Sequence, residues 1–418
     1  MVIMSKIDKL ARNLLYISVF LIPFYFFRFK IFGLPTNVLE ISIGLLFIVT
    51  LISLISNKQK INFGTWWYYL LVLMAFANIL LADDKVKALG IAKGWFLFPA
   101  LLYFAIINLV KKKDLPKLTF PIFISLMIVS IWAIFQKLGL ITTLFYQAED
   151  QTFSQYLVGN FRVYGPFESP NYLAMYLVPT MFLTIIGWQS IKNNSLRVIL
   201  ALAYILPLLA LYSSGSRAGI LAFGVSVFAY AFWAEKRRIG SVIVTWGLLF
   251  MVILAVGLFF YKYGFNPASD NIRLEIYRYA WQITKSNPVL GIGLGNFQIK
   301  IAEVTANALD FKTHALPYAI HPHNIFLAFW LNLGLVGLGI FVLMIGKFLL
   351  SLKKISKKNM IQGVLLMTMV AILVHGLFDT PYFKNDLSTT FWLILAFSGI
   401  ASNFNQLEKV TFLGIDRK

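Results

Sequence analysis

Several short stretches of this sequence carry polar residues of the types that do chemistry, each set beside a long apolar run. HPHNIFLAFWLNLGLVGLGIF puts His321, His323 and Asn324 where a helix begins, with Pro322 suited to its first position. The free amides of a first helical turn carry partial positive charge, so a histidine held there serves as a neutral base. SSGSRAGILAF places Arg217 in a tight turn between two apolar runs, flanked by Gly215 and Gly219. A charge at such a place is costly unless it has a partner, which makes it a candidate for function. NFRVYGPFESPNYLAMYL brings Arg162 and Asn171 to the start of another run, and HGLFDTPYF supplies His375 with Asp379 just beyond it. A histidine and an aspartate one helical turn apart can pair with each other or orient an arginine. The plainer alternatives are that the histidines anchor a helix at an interface, that Arg217 is a determinant of topology, and that the rest are caps.

Two further arginines lie in DNIRLEIYRYAWQITKS, which reads as a basic amphipathic helix from Asp270 to Ser286. Ile272, Ile276, Tyr279, Ala280 and Ile283 form its stripe, Asp270 can cap its start, and Arg273 and Arg278 lie off the stripe. Such a helix is expected in the membrane interface, where lipid headgroups alone could account for either arginine. NPVLGIGLGNF follows, with Gly291, Gly293 and Gly295. No strand precedes it, so a nucleotide site is not expected, and a tight backbone turn beside a ligand or helix is. There is no Walker-type loop, no Asp-x-Asp on the expected outer face and no Glu-x-x-His cluster, so neither ATP hydrolysis nor a metal site is expected, and no cofactor. Arginines with one neutral histidine suit a substrate that is already charged. Guanidinium forks bind a diphosphate and stabilise it as a leaving group, while the imidazole deprotonates an attacking hydroxyl.

The elements that must position these residues are membrane spans. The 418-residue chain is 59% hydrophobic and 13% charged, with mean hydropathy +0.77, outside the range of soluble domains. Its apolar runs are long enough to cross a ~30 Å hydrocarbon core. They predict about twelve transmembrane helices, near 11–27, 38–56, 66–82, 90–110, 118–136, 170–188, 196–214, 217–234, 240–261, 323–350, 360–378 and 387–404. The run from Leu14 to Phe27 follows three basic residues but lacks a small-residue cleavage site, and is read as the first helix. The net charge of +20 does not point to nucleic acid, because most Lys and Arg fall in short clusters at alternate connections, among them Lys58, Lys111 to Lys113, Lys192, Arg237 and Lys353. With those clusters in the cytoplasm, both termini are cytoplasmic and two long segments, 137–169 and 262–322, lie on the outer face. No cysteine is present, so no disulfide framework is expected. The expected whole is one polytopic domain over 1–418: an all-α integral membrane protein whose long outer loop carries an amphipathic helix.

At these residues the sequence resembles the O-antigen ligase and O-antigen polymerase superfamily of bacterial membrane glycosyltransferases. His323, Asn324, Gly334 and Gly337 fit the family's His-Asn, nine-residue spacer, Gly-x-x-Gly pattern. Arg217 fits its short outer turn. Arg273, Ala280, Pro288, Gly291, Gly293, Gly295 and Phe297 fit the loop signature, with Tyr277 where the family often has tryptophan. Arg162, Gly165, Pro170, Asn171 and Ala174 fit a further stretch, and Asp379 a late acidic position. The resemblance implies a GT-C-type fold in the cytoplasmic (inner) membrane. It implies a metal-independent, inverting transfer of a glycan from an undecaprenyl-diphosphate carrier to an acceptor hydroxyl on a glycan or lipid core, as in lipopolysaccharide or other surface polysaccharide biosynthesis. Arg217, Arg273 and His323 would be catalytic, the arginines holding the diphosphate and His323 acting as base. Arg162, Asn171, Arg278, His321, Asn324 and Asp379 would bind substrate. Ligation and polymerisation share these motifs. A transporter would instead call for ionisable residues in mid-span, which are few here, and a noncatalytic assembly partner would tolerate changes at the arginines and histidine.

Overall fold

The computed structural model describes residues 6–31, 33–141, 162–236, 257, 267–355 and 360–402. The expected span at 240–261 (residue 257 apart), residues 142–161 of the 137–169 segment, the first residues of the 262–322 segment and the basic residues beyond 402 lie outside them. The described chain is mostly helical. Its principal helices are α1 (Lys6–Phe20), α2 (Val38–Ser56), α3 (Trp66–Leu81), α4 (Lys85–Leu109), α5 (Lys112–Lys137), α6 (Pro170–Ser190), α7 (Asn194–Ser214), α8 (Arg217–Lys236), α9 (Pro267–Ser286), α10 (Phe297–Val304), α11 (Leu309–His314), α12 (Ile325–Lys354), α13 (Met360–Gly376) and α14 (Asn385–Ala401). Every expected span that falls among the described residues overlaps one of these. Seven, α2, α4 to α8 and α12, are long and apolar enough to cross a membrane, and α3 and α13 are shorter apolar helices. The count of twelve is therefore not reproduced as such.

Local chemistry sets the helix ends that face the polar cluster. Asn37 caps α2 by accepting from the Glu40 amide at 3.0 Å, and Ser169 caps α6 with Pro170 in its first turn. α7 ends on Gly215 in a left-handed conformation, and Arg217 opens α8 two residues later. At the centre lies α14, buried from Asp386 to Ala401. Its hydroxyls are satisfied along their own helix, Ser388 donating to the Lys384 carbonyl and Thr390 to that of Asp386, so polar side chains cost little there. The outer faces of the bundle carry exposed Leu, Ile and Phe, including Leu45, Ile48 and Ile55 on α2 and Phe228 and Phe232 on α8, an apolar surface of the kind a bilayer covers.

Two features depart from the expected pattern. The run expected to span 11–27 ends its helix at Phe20 and passes into an antiparallel hairpin, β1 (Arg28–Ile31) with β2 (Leu34–Asn37), in register Arg28↔Asn37 to Ile31↔Leu34. The stripe of α9 does not lie open to an interface. Ile276, Ala280 and Ile283 are buried against Phe297, Ile301, Phe311, Ala315, Ala319 and Leu331, a small second core that roofs one end of the bundle.

α12 is kinked at Gly334, whose backbone is non-helical (φ 68°, ψ −174°). The glycine loop fills that kink: the Ile292 amide donates to the Leu331 carbonyl at 2.8 Å and the Leu335 amide to that of Pro288 at 3.0 Å. Gly334 thus meets the backbone of that loop. A Cβ on Gly334 would sit 1.9 Å from the Val289 carbonyl oxygen, and one on Gly291 2.5 Å from that of Leu331. Strained backbone costs about 1–3 kcal/mol even without a clash, so Gly334→Ala is expected to lower the thermal unfolding midpoint sharply or prevent accumulation. Gly339→Ala, with open space around it, is expected to be neutral in the same measurement.

Candidate active site

The polar residues converge at the end of the bundle roofed by α9, where α6, α8, α12 and α14 begin. Arg217 leads α8 and forks onto Asp270 in the first turns of α9, with Nη2 2.7 Å from Oδ1 and Nη1 3.0 Å from Oδ2. Arg273, one turn along, lies 3.8 Å from the same carboxylate. Asp270 was expected as a helix cap; the helix begins at Pro267, and the side chain instead faces the two guanidiniums. Arg162 lies against Gly215, donates Nε to the Ser214 carbonyl at 2.8 Å and is near enough to the other two that burial, then Arg273 and Arg217, pull its pKa down to about 10. Three arginines with one carboxylate between them leave a positive surplus.

Asn171, in the first turn of α6, ties this cluster to the histidines. Its Oδ1 accepts from Arg162 Nη2 at 3.3 Å and from Ser216 Oγ at 3.0 Å, while its Nδ2 donates to Asp379 Oδ2 at 3.0 Å. Asp379 is buried and accepts also from its own neighbour, the Thr380 amide, at 2.9 Å. His321 Nε2 meets Asp379 Oδ1 at 2.6 Å, and His323 Nδ1 lies 3.7 Å from that oxygen, with the two imidazole rings 4.3 Å apart. Burial alone would raise the Asp379 carboxyl, but His321 and His323 outweigh it and hold it well below the usual range. Burial and then His323 lower the pKa of His321. The bond is therefore from neutral imidazole to carboxylate, which fixes the His321 proton on Nε2. His323 Nε2 is 3.1 Å from the Tyr318 carbonyl, an acceptor only, so its proton too stays on Nε2. Both Nδ1 atoms are buried and without a hydrogen-bond partner in the described residues.

His321 binds a proton less readily folded than unfolded, so its contribution to stability is lost as pH falls below its unfolded value of about 6.5. Asp379 has the same sign at lower pH: its contribution is present above its unfolded value of about 3.9 and vanishes as pH falls through the depressed one. Thermal unfolding is expected to weaken from pH 7.5 to 5.5, and less so in His321→Gln.

The remaining expected residues divide. Asn324 caps α12, its Oδ1 accepting from the Phe326 and Leu327 amides at 3.0 Å and its Nδ2 donating to the Leu377 carbonyl. The helix therefore starts at Ile325, and Pro322 and His323 precede it, His323 with φ 46°. Arg278 is exposed, about 140° round α9 from Arg273, and is not brought to the cluster. His375 is buried, but Asp379 turns to His321 in its place. Tyr277, on the side of α9 facing the site, donates its hydroxyl to the His323 carbonyl at 2.8 Å and lies 3.2 Å from that of Leu377. Tyr277→Phe leaves the His323 carbonyl unpartnered, costing about 0.5–1.5 kcal/mol, and is expected to slow turnover by up to about tenfold with folding retained.

His321, His323 and Asp379 offer ligand atoms within 4.8 Å of one another and could hold a metal ion. The 2.6 Å approach of His321 Nε2 to Asp379 Oδ1 is a hydrogen bond and has no room for an ion between the two atoms, so a metal would require that bond to break. Beside His321 is a cavity of about 410 Å³, lined by Arg28, Glu40, Tyr172, Phe383 and Lys384 among others, and not by Arg162, Arg217 or Arg273. None of these was singled out in the sequence, and the hairpin that brings Arg28 had no legible signal there.

Residues 202–342 match the model of a family described as O-antigen ligase. Among curated proteins, one from Rickettsia conorii with the provisional name polysaccharide ligase is 31% identical over 193 residues, 42% of this chain and 46% of that protein. The O-antigen ligase of Salmonella typhimurium is 26% identical over 174 residues, 38% of this chain and 41% of that enzyme. A Rickettsia typhi protein, also provisionally named polysaccharide ligase, is 26% identical over 233 residues, 53% of this chain and 56% of the relative. The chain thus spans about half the length of the curated relatives it matches.

Proposed function

We propose, from the match of residues 202–342 to the O-antigen ligase family, that the protein is a membrane glycosyltransferase that moves a glycan from an undecaprenyl-diphosphate carrier to an acceptor hydroxyl. The observation that carries this reading is the hydrogen-bonded network running from Arg162 through Asn171 to Asp379 and His321, with Arg217 and Arg273 near one end and His323 beside the other. A leaving group and a base must act on opposite ends of one reacting centre, and the network holds the two sets together.

Arg217, Arg273 and Arg162 take the diphosphate, Asp270 yielding its place on the Arg217 fork. His323 is the base: Nδ1 accepts the hydroxyl proton as the acceptor oxygen attacks the anomeric carbon. The bond from that carbon to the phosphate oxygen breaks, its electron pair leaves on the diphosphate, and in-line attack inverts the centre. Asp379, 3.7 Å from Nδ1, stabilises the imidazolium that forms. His321 and Asn171 hold that carboxylate in place.

The site lies on the outer face in this reading. The helix ends opposite it carry Lys58, Lys60, Lys111 to Lys113, Lys117, Lys192, Arg197, Lys353 and Lys354, the basic excess expected of cytoplasmic connections. The lipid tail then remains among the spans while the sugars stay in water. Transfer by purified protein is expected to persist in excess chelator, and its abolition with recovery on adding a divalent ion would favour a metal on His321, His323 and Asp379 instead. The reading as a whole is tested by the lipid-linked glycan left in cells lacking the protein: accumulation is expected, and an unchanged pool would refute it. Repeat-length material would indicate polymerisation and polymer would indicate ligation.

A further inference from the structure

We propose that the cavity beside His321 is the acceptor subsite and that it selects an acceptor sugar bearing an anionic group, a carboxylate or a phosphate. This rests on the glycosyltransferase reading and adds to it the chemical class of the acceptor. At about 410 Å³ the cavity falls within the ~300–1,000 Å³ typical of small-ligand sites. None of Arg162, Arg217 or Arg273 lines it, whereas His321 does. His323 is not in the lining, so an occupant would approach the histidines from the His321 side.

Its walls have the make-up of a sugar site with a surplus of positive charge. Tyr25, Trp95, Tyr172 and Phe383 supply rings on which a pyranose can lie. Tyr172 stacks on His321, with centroids 6.0 Å apart and planes 29° apart, so a sugar against it lies beside His321. Lys384 is only 8% exposed, and its Nζ lies 3.9 Å from the centre of the Tyr172 ring. It is ion-paired with Glu168, and Arg28, 3.1 Å from the other Glu168 oxygen, shares that carboxylate. Both cations approach the Tyr25 ring, Arg28 at 5.3 Å and Lys384 at 5.9 Å. The second carboxylate, Glu40, is taken by Lys93, the Thr36 hydroxyl at 2.9 Å and the Asn385 amide at 2.9 Å. Arg28, Lys87 and Lys384, with Lys93 behind them, thus outnumber the two carboxylates of the wall, which are already shared; Asp386, buried and outside the lining, is a further anion acting on Lys384. The wall itself therefore holds one cation more than its carboxylates, and a charge kept from water is costly unless an anion balances it. An anionic substituent between Arg28 and Lys384 completes the balance and directs the sugar toward the histidines.

The test uses the full chain in lipid nanodiscs and three probes, glucuronate, glucose 6-phosphate and glucose, with binding followed by saturation-transfer NMR. At least one anionic probe is expected to bind about tenfold or more tightly than glucose, equivalent to ~1.4 kcal/mol, and the one that does identifies the group as carboxylate or phosphate. Arg28→Gln, at a side chain 51% exposed, is expected to fold, as checked by thermal unfolding, and to lose the preference; Lys384→Met is a second arm at the buried cation. Equal binding of all three probes, or an unchanged preference in folded Arg28→Gln, would overturn the inference. Consumption of a lipid-linked donor by the same nanodiscs judges the parent reading separately: donor turnover without an anion preference sinks only the acceptor class, and no donor turnover sinks the enzyme reading.

Discussion

His323→Gln is expected to lower glycan transfer by roughly 10²–10⁴-fold, with His321→Gln costing far less. The two imidazoles sit 4.3 Å apart on one carboxylate, yet their bonds differ. His323 has Nε2 committed to the Tyr318 carbonyl and Nδ1 free at 3.7 Å from Asp379, the arrangement that lets a base take a proton beside a stabilising anion. Glutamine at 323 has no basic lone pair to offer. At 321 its amide can still donate to Asp379 and keep the carboxylate ordered, so the main function of that side chain survives. Comparable turnover losses in both variants, with unfolding midpoints unchanged, would show that the pair acts as a unit; a larger loss at 321 would move the base there.

Arg217→Ala is expected to cost about 10²–10³-fold in turnover, the size of effect seen when one preorganised charge-stabilising donor is lost. Arg217 is the only one of the three arginines that forms a two-pronged contact in the described residues, onto Asp270, and a diphosphate can occupy the same fork. Arg217→Lys keeps the charge but not the paired N–H geometry and is expected to recover only part of the loss. The loss should fall mainly on kcat, because charge builds on the leaving diphosphate as the bond breaks.

Much of the architecture was legible because apolar run length and capping residues act locally. The span at 38–56 coincides with α2, and the turn between Ser214 and Arg217 stands where its glycine placed it. The misreadings arose where tertiary contacts decide. A helix start at Pro322 is a sound local expectation, but Asn324 caps better and moves the boundary to Ile325, leaving His323 outside the first turn. The α9 stripe has the same pattern whether it meets lipid or Phe297 and Phe311, so its burial was invisible. Asp379 has His375 one turn before it, yet turns to His321, which is 58 positions distant in sequence. Asp270 had Arg273 three residues on as a clue, but its stronger partner, Arg217, is 53 positions away. The hairpin carrying Arg28 is too short and too interrupted by Pro35 to read as strands.

The most direct measurement is transfer by purified protein in nanodiscs from an undecaprenyl-diphosphate-linked glycan, following the carrier released and the anomeric configuration of the product. Wild type is expected to release undecaprenyl diphosphate and form an inverted linkage, and folded His323→Gln and Arg217→Ala to do neither at a comparable rate. Release at wild-type rate by both variants, or a product of retained configuration, would contradict a base at His323 acting with a diphosphate clamp at Arg217.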